Sequence, residues 1–165
     1  MAEYWHDGQG DWESNSAKII NDRLKKPFYI HNDWSHLGFD QYREGVALLS
    51  RYPLSHHEAR YVSSSHDVFD INSRKVVTAR VCVPYIGFIN VFSAHLSWLE
   101  GGFQEQFYRL RAWADDNNAD DVKATLLCGD FNITAGSNGY KMVVASEQYE
   151  DQYLAVNKQG VFDKI

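Results

Sequence analysis

The residues best suited to chemistry fall in one short segment, Leu126-Leu127-Cys128-Gly129-Asp130-Phe131-Asn132. An apolar run ends at a glycine and then delivers Asp130 and Asn132 two positions apart. In an extended chain, residues i and i+2 point the same way. Both side chains can therefore enter one cleft at the C-terminal end of a strand, where the sites of α/β proteins gather. A carboxylate beside an amide suits a hydrated hard cation together with a phosphate oxygen or an attacking water. The plainer alternative is an Asx turn that ends the strand, with both side chains bonded to nearby backbone. Taken alone, the segment favours that alternative.

Three other positions carry chemistry of a matching kind. His95 closes the run Val91-Phe92-Ser93-Ala94 and precedes Leu96-Ser97-Trp98. A His at a strand end can serve as general acid, general base or phosphate donor; one of seven in a chain is more often structural. Glu44 stands before the apolar run Gly45–Ser50. It can accept the far ring N–H of a catalytic His and fix its tautomer, or it can be a solvated loop carboxylate. Glu3 is a further carboxylate, so near the start of the chain that disorder is the simpler expectation for it.

The elements that must position these residues can be read from pattern. Ala17, Ile20 and Leu24 recur at helical spacing, with Ser14 or Ser16 as the candidate N-cap and Pro27 after the end. Residues 28–43 read as an aromatic loop, and residues 55–72 as a long polar connection. Gly45–Ser50 reads as a buried strand. Val77, Ala79, Val81 and Val83 alternate onto one face, and a turn at 84–87 leads into Phe88–Phe92, so these two strands form a hairpin. Phe103, Phe107, Leu110 and Ala114 step by four, three and four, which lines one face of a helix. A strand over Ala124–Cys128 and a helix from Tyr140 to Ser146 follow. With no repeat, low-complexity tract or linker, residues 1–165 make one α/β domain.

Composition narrows the classes. The chain has 165 residues, 44% hydrophobic and 23% charged, which suits a folded protein rather than a disordered one. No apolar run approaches the ~18 residues of a membrane helix. The formal net charge of −6 argues against a tight binder of phosphate backbone, which usually carries a basic patch. It leaves a metal-dependent enzyme open, because a bound cation supplies positive charge locally. Cys82 and Cys128 lie far apart in apolar runs and read as buried free thiols. That pattern slightly favours the cytoplasm. No G-x-S-x-G nucleophile elbow and no zinc-ligand spacing occurs.

Taken together, GVALLSRYPL (45–54), FSAHL (92–96) and LLCGDFN (126–132) resemble the endonuclease/exonuclease/phosphatase superfamily, with its deoxyribonuclease I-like fold. The motifs stand in the order and at about the spacing found there, and the resemblance extends over essentially the whole chain. It implies a two-sheet α/β/β/α sandwich that hydrolyses phosphoesters with Mg²⁺ or Mn²⁺. It implies that Asp130 and Asn132 orient the nucleophilic water and hold the phosphate. His95 takes the place of the catalytic His and Glu44 that of its partner carboxylate. Glu3 takes the place of the metal-binding Glu, although Ala2 precedes it where that motif has Gln. Trp98 is a candidate substrate wall, with a half-buried core Trp as the equal alternative.

The departures from the pattern shape the expectations. Only Met1 and Ala2 precede Glu3, and no closing Ser-Asp-His follows; Asp163 lacks the His and comes too soon. The chain is thus expected to lack the first strand and the C-terminal third of the fold. A general base is typically worth ~10²–10⁴-fold in rate, so weak or no turnover is expected from these residues. Sugar phosphate, phospholipid head group and nucleic acid all remain open as substrate, and the oligomeric state is open. The rival reading is a non-catalytic binding module derived from the same fold.

Overall fold

The computed structural model describes residues 1–6 and 8–157; Asp163 lies outside the described residues. Two four-stranded sheets carry the segment from Met1 to Asn132. The first contains β1 (Ala2–His6), β2 (Gln9–Gly10), β3 (Tyr29–Gly38) and β4 (Tyr42–Ser50), in the order β2-β1-β4-β3. The second contains β5 (Leu54–Tyr61), β6 (Lys75–Val83), β7 (Gly87–His95) and β8 (Val122–Asp130), in sequence order. Helix α1 (Ser16–Asp22) accompanies the first sheet and α2 (Phe103–Asp116) the second.

The expected hairpin is β6 paired antiparallel with β7, and β8 runs parallel to β7. A parallel pair needs a crossover, and α2 supplies it. Its predicted stripe is the buried one: Phe103, Phe107, Leu110 and Ala114 are all inaccessible. Phe92 of β7 meets Trp113 of α2 edge to face, with ring centroids 5.2 Å apart. β6 is buried on both faces, Val76 and Thr78 as well as Val77 and Ala79. The helix covers one face and the first sheet the other. Leu48 of β4, Val81 and Val83 of β6, Ile89 and Val91 of β7, and Leu126 of β8 line one cavity, so these faces look at each other across the sheets.

Several expectations need correction. Residues 28–43 are not a loop: Tyr29–Gly38 is a ten-residue edge strand. The aromatics that suggested a loop are strand formers. The polar segment 55–72 is strand to Tyr61, because a half-exposed outer strand tolerates polar side chains. The cap of α1 is Asn15, whose Oδ1 accepts from the backbone N–H groups of Ala17 and Lys18. Cys82 and Cys128 are free thiols as expected but exposed rather than buried.

The segment from Ile133 forms a separate unit with α3 (Asn138–Val144) and α4 (Gln152–Val156). Ser137 caps α3. Asp151 caps α4 through the N–H of Leu154 and accepts a bond from the Tyr140 hydroxyl at 2.8 Å.

Candidate active site

His95 and Asp130 end adjacent parallel strands and are register partners. Both belong to the face that looks at the first sheet, since they share strand parity with Val91 and Leu126. The βαβ connection thus does what the sequence needed: it brings two distant strand ends together at their C-terminal side. Gly129 makes the approach possible. Its φ is +121°, and a Cβ there would run into the carbonyl of Ala94.

The Asx turn considered from sequence is present. Asp130 Oδ1 accepts from the backbone N–H of Asn132 at 2.8 Å. Asn132 sits at φ +51° and its Nδ2 donates to Leu96 O at 2.8 Å. These bonds tie the β8 end to the residue after His95. The turn and the site therefore coincide, and the turn aims Asp130.

Arg74, buried just before β6, is the residue that sequence reading missed as a site member. Its Nη1 lies 3.5 Å from His95 Nδ1, and its Nε donates to Ser97 Oγ at 3.3 Å. Gln106 of α2 completes this network. Its Oε1 accepts from the Ser97 N–H and its Nε2 donates to Ser97 Oγ. Two signals could have found them: a cation at the head of an apolar strand, and a polar residue on the buried stripe of α2.

A guanidinium only donates, so a bond from Arg74 makes His95 Nδ1 the acceptor and leaves the ring proton on Nε2. Burial, then the charge of Arg74, push the His95 pKa below its ordinary value, while Asp130 and Glu44 oppose this. Burial also lowers the Arg74 pKa against the pull of Glu44, Asp130 and Asp70. Arg74 nonetheless stays charged in water.

Glu44 faces this group from the first sheet. It does not hold the ring of His95, as was expected of it; among the described residues no hydrogen bond joins the two. Its Oε2 lies 3.5 Å from Nε2 of His36 instead. Trp98 is 61% exposed, so its ring is available at the surface rather than in the core.

Glu3 is not brought to the group. Ala2 is the register partner of Glu44, and Glu3 that of Arg43, so Glu3 projects from the opposite face of the sheet. Its side chain is fully buried. Oε1 accepts from Nε and Nη2 of Arg43, and Oε2 accepts from Asn15 Nδ2 at 3.1 Å.

Comparison with known proteins settles the family. The family model described as "Endonuclease/Exonuclease/phosphatase family" matches residues 3–145. The chain belongs to this family. The protein YbhP of Escherichia coli K12, described as uncharacterized, is 38% identical to it over 89 residues, which is 53% of this chain and 33% of YbhP. A family member from Leptotrichia buccalis C-1013-b superposes with a TM-score of 0.72 at 23% identity, covering 91% of this chain and 56% of that one. TDP2 of D. rerio, complexed with single-strand DNA product, superposes at 0.51 with 16% identity, covering 78% and 47%. The chain thus spans about a third to a half of the length of these relatives. The two-sheet architecture described above is the family's fold.

The family generally depends on a divalent cation, and Glu3 does not fit as its ligand in this chain. Both its oxygens are already bonded to Arg43 and Asn15. Among the described residues, no three His, Cys, Asp or Glu side chains group as a cation site.

Proposed function

We propose that this chain carries the chemistry of a phosphoester hydrolase, acting on a phosphodiester or phosphomonoester by in-line attack of water. The observation that carries the reading is the convergence of Arg74, His95 and Asp130 at one end of the inter-sheet cleft, with Glu44 opposite. A phosphoryl group in transit spreads charge over its oxygens, and donors aimed at that charge contribute most to its hydrolysis. Arg74 supplies a buried cation whose charge acts on those oxygens. The Nε2–H of His95 donates to a phosphoryl or leaving oxygen, its tautomer set by Arg74. Asp130 orients the attacking water by its second oxygen, Oδ2, while Oδ1 holds the turn.

Mg²⁺ or Mn²⁺ is the cation proposed for the assay. Glu44 and Asp130 leave Arg74 outnumbered, so an anionic substrate benefits from added positive charge. Turnover is slow, because Asn132 Nδ2 is engaged by Leu96 O and Glu3 by Arg43.

The test is hydrolysis of bis(p-nitrophenyl) phosphate and p-nitrophenyl phosphate by the purified chain with Mg²⁺ or Mn²⁺. Asp130→Ala, His95→Gln and Arg74→Met should each lower the rate, by about 10²-fold or more for a lost acid–base or electrostatic group. A wild-type rate at background, or three variants as fast as wild type, would overturn the reading in favour of a non-catalytic module. Sugar phosphates, phospholipid head groups and oligonucleotides then rank the substrate class.

A further inference from the structure

His36 is a buried side chain with no part in the proposed hydrolysis. It owes its direction to an irregularity. β3 pairs with β4 in regular register as far as Trp34 opposite Gly45, then shifts, so that His36 stands opposite Glu44. The shift inserts Ser35 as a bulge, and a bulge re-aims the side chains that follow it. Without it, position 36 would fall on the outer face; with it, His36 shares the inner face with Glu44. Ser35 is itself fixed, its Oγ accepting from the Lys75 N–H and its carbonyl from the Tyr61 hydroxyl.

The ring of His36 is 1% exposed. Its Nδ1 lies 3.1 Å from the carbonyl of Ser73. A carbonyl can only accept, so Nδ1 carries a proton. Nε2 has no hydrogen bond and stands 3.5 Å from Glu44 Oε2. The other carboxylate oxygen, Oε1, is packed over Gly38, where a Cβ would collide with it. Nε2 is the ring atom that faces the Glu44 carboxylate, and the ring side of that contact is shut off from water. Asp70 faces the same ring electrostatically.

We propose that His36, delivered by the Ser35 bulge, is a positioning residue that holds Glu44 towards Arg74 and His95. The proposal rests on the phosphoesterase reading for its activity readout, but the geometry it describes can be measured without turnover. Ser73 O and Glu44 lie on opposite nitrogens of one ring, and two substitutions separate them. His36→Asn places an amide N–H where Nδ1 was, keeping the bond to Ser73 and losing Glu44. His36→Gln places one where Nε2 was, keeping Glu44 and losing Ser73.

The experiment compares both variants with wild type by urea unfolding, by steady-state kinetics on bis(p-nitrophenyl) phosphate, and by NMR titration of the His95 ring. Positioning predicts that His36→Asn lowers kcat about tenfold or more with KM unchanged, and shifts the His95 midpoint. His36→Gln keeps both near wild type, even where it is the less stable of the two. Activities that follow stability, with Asn above Gln, would overturn the proposal. Should no form of the chain turn over substrate, the phosphoesterase reading falls and the titration decides. A midpoint moved by Asn and not by Gln upholds the proposal, and any other pattern overturns it.

Discussion

Glu3 offers the sharpest test, because two roles for it make opposite predictions. By family pattern it binds a cation; by geometry it is one end of a buried ion pair. Its side chain has no exposed surface, while that of Arg43 is 32% exposed. Arg43 also lies over the rings of Trp34, at 4.2 Å, and Trp5, at 5.2 Å. Removing the carboxylate strands Arg43 among aromatics and leaves Asn15 Nδ2 only the weak contact to Met1 Sδ at 3.8 Å. Breaking a buried pair costs about 3–5 kcal/mol; the lower end applies here because Arg43 can reach water. Glu3→Ala should therefore lose about 3 kcal/mol, or about 6–12 °C in Tm for a chain of this size. Urea unfolding in EDTA, followed by Trp fluorescence, measures it, with Trp5 as the local reporter. A loss within about 0.5 kcal/mol of zero, the range of an ordinary surface change, would refute the structural role. The cation role makes its own signature: Mn²⁺ would raise the Tm of wild type and fail to raise that of Glu3→Gln.

Other outcomes follow from the same geometry. Phe107→Ala, at a fully buried position on α2, should cost about 3–5 kcal/mol by urea unfolding. Gly129→Ala should cost at least about 2 kcal/mol, combining positive φ with a clash against β7, and should abolish any Asp130-dependent rate. His95 has its pKa held below the ordinary value by burial and by Arg74, so the unfolded state takes up its proton first. Wild type should lose stability as pH falls through about 6.5, the unfolded His value, and level off below the folded midpoint. His95→Gln should flatten that slope between pH 7.5 and 5, and an unchanged slope would contradict the assignment. Both exposed thiols should react with a disulfide reagent without denaturant, Cys128 more slowly than Cys82, because burial raises the Cys128 pKa.

The parts of the fold that were legible in the sequence are those with strong periodicity. The α2 stripe, the β6–β7 alternation and the apolar run before Gly129 each bury a face, and burial is what periodicity records. Together they form the βαβ unit, and that unit alone explains how His95 and Asp130 come to lie side by side. The outer strands were not legible. β3 and the first part of β5 carry polar and aromatic residues, because one side of each meets water or loop rather than core. Their pattern is weak for a physical reason.

The site divides along the same line. Asp130, His95 and Glu44 were legible as candidates because they flank apolar strands and match a motif. Glu3 was placed by motif alone, and strand parity sends it to the far face, where Arg43 takes it up. One residue of offset is enough for that, since side chains alternate with a period of two. The Ser35 bulge works by the same arithmetic in the other direction: it leaves one residue unpaired, so that His36 stays inward, opposite Glu44. No periodicity argument contains such a step, because the pattern before it and the pattern after it are each regular. What decides which carboxylate reaches the cleft is therefore register, and in this chain register is set by one bulge and one cross-strand pairing. A deletion of Ser35 carries the argument to its limit. It would let β3 pair with β4 in unbroken register with His36 still opposite Glu44, and would remove the Ser35 bonds to the Lys75 N–H and the Tyr61 hydroxyl.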